Sequence, residues 1–161
     1  MTPHDLLHSI GAFAIMHSGR RLADHLIGTR DLLEQHGFGE DVCLAGLLHS
    51  IYGTNVFGLA CVEEAERSGV RRVVGERAEH LAWLFGTLDR PRTLEAALAE
   101  EPAGAVPLRA SDGGVTTVDR RTFLDLCAIE AANLLEQGLL DRCGRLQTFW
   151  LSRDSASRDP T

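Results

Sequence analysis

The stretch from Val42 to Leu48 is apolar on every face, and it opens the longest run of the chain without a formal charge. A helix of that kind has no side to offer water and must sit inside a bundle. It therefore fixes the fold class, because amphipathic helices have to wrap around it. At its end the character changes, to His49-Ser50-Ile51-Tyr52-Gly53-Thr54. An imidazole and a hydroxyl are thereby carried toward the middle of the molecule, where polar groups need partners.

The rest of the chain supplies the wrapping helices. Thr2 as N-cap and Pro3 at the first helical position predict a helix over about Pro3 to Met16. Ser18 is read as the N-cap of a second helix that runs to His36 and stops at Gly37. The central helix is expected over Glu40 to Tyr52, followed by helices over Phe57 to Gly69 and Glu76 to Leu88. Val70 to Gly75 is read as a connection or short helix between those two. A short helix over Thr93 to Glu101, with Thr93 as N-cap, follows Pro91. Two β-prone runs flank Ser111-Asp112-Gly113-Gly114, which predicts one small hairpin near 105–118. Helices over about Asp119 to Gln137 and Leu140 to Arg153 complete an all-α bundle. Residues 1–154 form one domain on this reading, and 155–161 a polar, disordered tail.

Composition excludes several classes. The formal net charge is -7, from 16 basic and 23 acidic residues, which argues against nucleic acid or an anionic membrane as partner. No stretch reaches the roughly 18 apolar residues of a membrane span, and no secretory signal is visible. Cys43, Cys61, Cys127 and Cys143 have no CxxC spacing and read as reduced core residues, so a cytoplasmic location is expected. His4 and His8, one turn apart, read as surface residues, and so does His80 beside Glu79. Trp150 and Leu151 on the last helix suit either core packing or contact with a second copy, so a homo-oligomer is compatible with the sequence.

The chemistry concentrates around His49. His25 lies on the preceding antiparallel helix, and across a tight Gly37-Phe38-Gly39 connection the two imidazoles fall at a similar height. Such a pair can act as general acid and base, since imidazole titrates near neutrality. Arg20 can hold an anionic group of a ligand or pair with Asp24 one turn away. His17 precedes the second helix and can line the same opening. Ser50 and Tyr52 continue the polar end of the central helix. Glu130 and Asn133 lie one turn apart in an otherwise apolar helix, and a carboxylate there needs a buried partner, with Arg20 or Tyr52 as candidates.

The run Asp41 to His49, set after His25, resembles the first half of the HD-domain superfamily. In that superfamily a His on one helix and a His-Asp doublet on the next bind one or two metal ions. Its members include phosphohydrolases, phosphodiesterases and diiron oxygenases. His17-Ser18-Gly19-Arg20, Asp24-His25-Leu26, Gly28-Thr29 and His49 to Thr54 are also similar to an HD-like family that reads His-Ser-Ile-Tyr-Gly-Thr at the last position. The resemblance implies an HD-like bundle, a metal-dependent ancestry, and Glu130 as substitute for the superfamily's last acidic ligand. Ser50 stands where the doublet aspartate would be. A neutral hydroxyl is a poor ligand for a hard cation, so a dinuclear centre is not expected. The expected cofactor is none, or a single divalent Fe, Mn or Zn ion on His25 and His49.

The function expected from these residues is that of a small-molecule enzyme with a degenerate HD-type site. His25 and His49 are its acid/base pair or metal ligands, and Glu130 is a third catalytic group. Arg20, Ser50, Tyr52, Asn133 and His17 contact a ligand that Arg20 suggests is anionic. A tailoring role in secondary metabolism fits a small stand-alone domain. The competing expectation is a non-catalytic binding or regulatory module on the same bundle.

Overall fold

The computed structural model describes residues 1–156, and eight helices and two short hairpins account for its regular structure. Helix α2 (Leu22–Gln35) and helix α3 (Glu40–Leu48) are antiparallel neighbours joined through Gly37, whose φ of +72° makes the turn. Helix α3 packs on α2, on α5 (Glu76–Thr87) and on α7 (Arg120–Glu136). Val42, Cys43, Ala45, Leu47 and Leu48 are all buried, so α3 is the central rod its composition requires. Gly46 sets how closely the rods approach: a Cβ there would stand 2.4 Å from Leu33 Cδ1.

Two apolar clusters share these helices. One lies at the Glu40 end of α3 and joins Leu33, Phe85, Phe123, Leu126 and Ile129 to Trp150. The other lies at the Leu48 end and joins Leu22, Leu26, Leu47 and Ile51 to Leu7 and Val70. Helix α1 (Pro3–Ser9) and helix α4 (Arg67–Val74) close the second cluster. Helix α6 (Arg92–Ala99) and helix α8 (Gly144–Ala156) close the first, and Trp150 is core. The four cysteines are free. Among the described residues no helix is long and apolar enough to cross a membrane.

Several expected boundaries are corrected. Helix α1 stops at Ser9 rather than Met16, because Gly11 takes φ +75° and the chain turns back. Residues 16–21 then form a hairpin of β1 (Met16–His17) and β2 (Arg20–Arg21). Ser18 and Gly19 have φ of 51° and 84°, the two left-handed residues of a two-residue hairpin turn, so Ser18 is not a helix cap. Helix α3 ends at Leu48 and not at Tyr52. The next carbonyls are used at shorter range, Leu48 by the Ile51 N–H and Ser50 by the Gly53 N–H.

The helix expected over Phe57 to Gly69 is mostly a loop. The Thr54 hydroxyl accepts from the Val56 and Phe57 N–H groups, and the Ile51 carbonyl accepts from Cys61 and Val62, so those donors are spent outside a helix. A helix forms only after a 3-10 turn over Glu64–Glu66, and of the stretch read as a connection or short helix, Val70 to Val74 lies in α4. In α6 the Thr93 hydroxyl accepts from the Arg109 N–H instead of capping its own helix. The expected hairpin is present, as β3 (Val106–Arg109) paired antiparallel with β4 (Val115–Val118). Helix α8 extends to Ala156, two residues into the stretch expected to be disordered, and residues 157–161 lie outside the described residues.

Candidate functional site

His25 projects from α2 and His49 caps α3, and their Nε2 atoms stand 3.1 Å apart. Both residues are 1% exposed. His49 Nδ1 lies 2.7 Å from the Gly46 carbonyl. A carbonyl only accepts, so Nδ1 carries the hydrogen. Burial holds the His49 imidazole well below its usual range, with His25 adding to the effect, so His49 is neutral and its Nε2 is a bare acceptor. The 3.1 Å contact therefore requires a hydrogen on His25 Nε2.

The other nitrogen of His25 meets a residue on α7. Its Nδ1 is in contact with Glu136 Oε2, and Arg20 Nη2 holds Oε1 of the same carboxylate. With Nε2 already protonated, the Nδ1–carboxylate contact needs one more hydrogen, on the nitrogen or on the carboxyl group. The Glu136–His25 unit thus holds one proton more than a free neutral imidazole beside a free carboxylate. Burial pushes the His25 imidazole down, to about 3, with His17 and Arg20 acting in the same direction and Asn133 against them. A carboxylate beside an imidazole favours the charged form, and the two contacts of the ring, one on each nitrogen, both need a hydrogen. Gly28 makes this approach feasible, since a Cβ there would lie 2.8 Å from Glu136 Oε1. Thr29, its neighbour, donates its hydroxyl to the His25 carbonyl at 3.0 Å.

A cavity of about 210 Å³ is lined among others by His17, Ser50, Phe57, Arg90, Glu130 and Asn133. His17 reaches it from β1, with its ring 4.9 Å from that of His25 and 4.6 Å from that of Phe57. Burial, then Arg20 and Arg90, lower the His17 imidazole. Of the residues expected at the site, His17, Ser50, Asn133 and Glu130 line the cavity, His25 and His49 do not line it but His25 packs against the ring of His17, and Arg20 joins through Glu136. Arg20 does not pair with Asp24, which is exposed.

Two expected residues have other engagements. Glu130 is fully buried, and both its oxygens accept from Arg90 Nη1, at 3.0 and 2.7 Å, while Asn133 Nδ2 donates to Oε2. Its partner is Arg90, in place of the expected Arg20 or Tyr52. Tyr52 turns away from the cavity and donates to Glu79 Oε1 at 3.0 Å. Glu79, 0% exposed, also holds Arg67 and Arg71, so Tyr52 belongs to a separate ion-pair network.

The sequence reading missed Glu136, Gln137 and Arg90. A signal for the first two existed: Glu130, Asn133, Glu136 and Gln137 recur at helical spacing on one side of an apolar helix. Arg90 carries no such mark, because its burial depends on the chain folding back at Pro91.

The polar groups of the site pair with one another. A bound zinc or iron ion usually has three or four protein ligands. Here two imidazole nitrogens face each other in hydrogen-bond contact, and the nearest carboxylates are committed to His25 Nδ1, Arg20 and Arg90. Among the described residues no group of three or more His, Cys, Asp or Glu is placed to hold an ion.

The fold and site define a helical bundle whose two central helices each contribute one histidine to a buried, proton-sharing pair. A family model described as a domain of unknown function, DUF6817, matches residues 6–90, and the chain belongs to that family. The matched region carries His17, Arg20, His25, His49 and Arg90, while Glu130, Asn133 and Glu136 come from α7 beyond it. No curated protein and no solved structure matches the chain.

Proposed function

We propose that this chain is a small-molecule enzyme that performs proton-transfer chemistry at a degenerate HD-type site. The observation that carries the reading is the hydrogen count at Glu136, His25 and His49: three side chains in series hold a proton, and His17, packed on His25, lines a cavity of about 210 Å³. A buried imidazole with a carboxylate on one nitrogen and an acceptor on the other can give up or take a proton with little rearrangement. His17 is the imidazole that faces the ligand, and the pair behind it is the proton store. The HD-like resemblance of the sequence, which singles out the same His25 and His49 with Ser50 in place of the aspartate, supports the reading.

A second reading rests on the 1% exposure of both His25 and His49. Groups so sealed can serve as a polar core that shapes a binding cavity without chemistry. Untargeted mass spectrometry of a small-molecule extract incubated with the protein separates the two. The enzyme reading expects one species to be consumed and another to appear. It also expects the rate to fall at least about 100-fold in His25→Gln and His49→Gln, the usual worth of a general acid or base. A ligand that is retained but unchanged supports the binding module.

A further inference from the structure

The cavity contains one cation whose hydrogen bonds are incomplete. Arg90 has a side chain only 5% exposed, and it donates to Glu130 through Nη1. Among the described residues its Nε is buried and has no acceptor. Nε–H and the adjacent Nη2–H form one edge of the planar guanidinium, an edge that matches a carboxylate with two parallel hydrogen bonds. The plane is held in place from the side, where the guanidinium carbon sits 4.2 Å above the Phe85 ring. A buried donor left without an acceptor is costly, and Arg90 is one of the residues that line the cavity.

Charge and shape narrow the acceptor. Arg20 and Arg90 are balanced by Glu136 and Glu130, so the one positive charge left to match is the additional proton on the Glu136–His25 unit. A monoanion suits this balance better than a dianionic phosphate. Phe57, Leu134 and Leu139 give the cavity apolar surface beside its polar lining residues. At about 210 Å³ the cavity is smaller than the roughly 300 Å³ at which sites for drug-sized ligands begin. We propose that it binds a small monocarboxylic acid with an apolar body, its carboxylate on the Nε–Nη2 edge of Arg90 and its body against Phe57, Leu134 and Leu139. The inference rests on the cavity being the ligand site of the function proposed above, and makes Arg90, rather than Arg20, the group that holds the anion.

The test uses the full chain with hexanoate and benzoate as probes, against hexanamide, benzamide and inorganic phosphate. Calorimetry is expected to show at least a tenfold preference for each acid over its amide and over phosphate. Because Arg90→Gln alone strands the Glu130 carboxylate, the variant to compare is Arg90→Gln with Glu130→Gln, in which acid binding should fall at least tenfold. In wild-type protein labelled with 15N-arginine, hexanoate should shift the Arg90 Nε–H resonance, a readout that needs no variant. Equal affinity for acid and amide, a preference for phosphate, or an unmoved Arg90 resonance would overturn the proposal. Acid binding without turnover of any species leaves this inference standing and removes the enzymatic reading. Turnover of a species with no carboxylate, unaffected by hexanoate, does the reverse.

Discussion

Replacing Glu136 by Gln tests the structural core of the site. The carboxylate accepts from Arg20 through Oε1 and meets His25 through Oε2, and its side chain is 7% exposed. A carboxamide has one acceptor oxygen, so it can keep Arg20 or the His25 contact in its present form, but not both. Arg20 has a side chain 40% exposed, so its ion pair is screened and contributes at most about 1 kcal/mol. The His25 contact is buried and charge-assisted, a class worth about 1.5–3 kcal/mol. The expected loss for Glu136→Gln is therefore about 2–3 kcal/mol, most of it through His25. With a urea m-value of roughly 2 kcal/mol/M, the midpoint should fall by about 1 M. A double-mutant cycle locates the loss: Glu136 and His25→Gln should couple by more than about 1 kcal/mol, and Glu136 and Arg20→Gln by less. A stability change under about 0.5 kcal/mol, or no coupling to His25, would refute the buried proton-sharing contact.

Other outcomes follow from neighbouring residues. Gly28→Ala should destabilise by about 1–2 kcal/mol, because the new Cβ meets Glu136 2.8 Å away; helix propensity alone predicts a gain of about 1 kcal/mol, so the sign of the change in chemical denaturation decides. Burial depresses His49 in the folded chain, whereas the unfolded chain takes up a proton near its ordinary pKa of about 6.5. The unfolded state then binds more protons, so the stability difference between wild type and His49→Gln should shrink as pH falls below about 6.5, by on the order of 1 kcal/mol per pH unit. A difference that grows toward low pH would show that His49 is charged in the fold. Glu79 behaves as an ordinary paired carboxylate: burial raises it, but Arg67, Arg71 and Tyr52 outweigh that and hold it below its usual range. Its contribution, read as wild type against Glu79→Gln, should be intact above about pH 4.5 and decline as pH falls further.

The parts of the fold that were legible in the sequence are those fixed by local rules. The all-round apolar run required a buried α3, and the glycine turn after α2 set two histidines at one height. Asp112-Gly113 marked the β3–β4 hairpin, and the apolar period marked α5 and α7. The failures come from left-handed backbone at turns and from competition for backbone hydrogen bonds. Ser18-Gly19 satisfied a helix-start pattern but takes left-handed backbone in a hairpin, and the Thr54 hydroxyl and Ile51 carbonyl collect donors that a helix over residues 57–69 would have needed. At the site, the residues on α2 and α3 were legible because they are close in sequence. Arg90 and Glu136 were not, since each finds its partner only when distant segments pack, Glu136 onto the gap left by Gly28 and Arg90 onto Glu130.

The most direct test of the account is the position of the hydrogens on the two buried imidazoles. Long-range 1H–15N correlation of protein labelled in its histidine rings reports each ring nitrogen separately. The account predicts that at pH 7 His49 carries its hydrogen on Nδ1 with a bare, hydrogen-bonded Nε2, and that His25 carries one on Nε2. In Glu136→Gln the His25 nitrogens should change most, while His49 Nδ1 stays protonated against the Gly46 carbonyl. A His25 ring whose Nε2 is bare would contradict it, because the 3.1 Å contact would then have no proton to share.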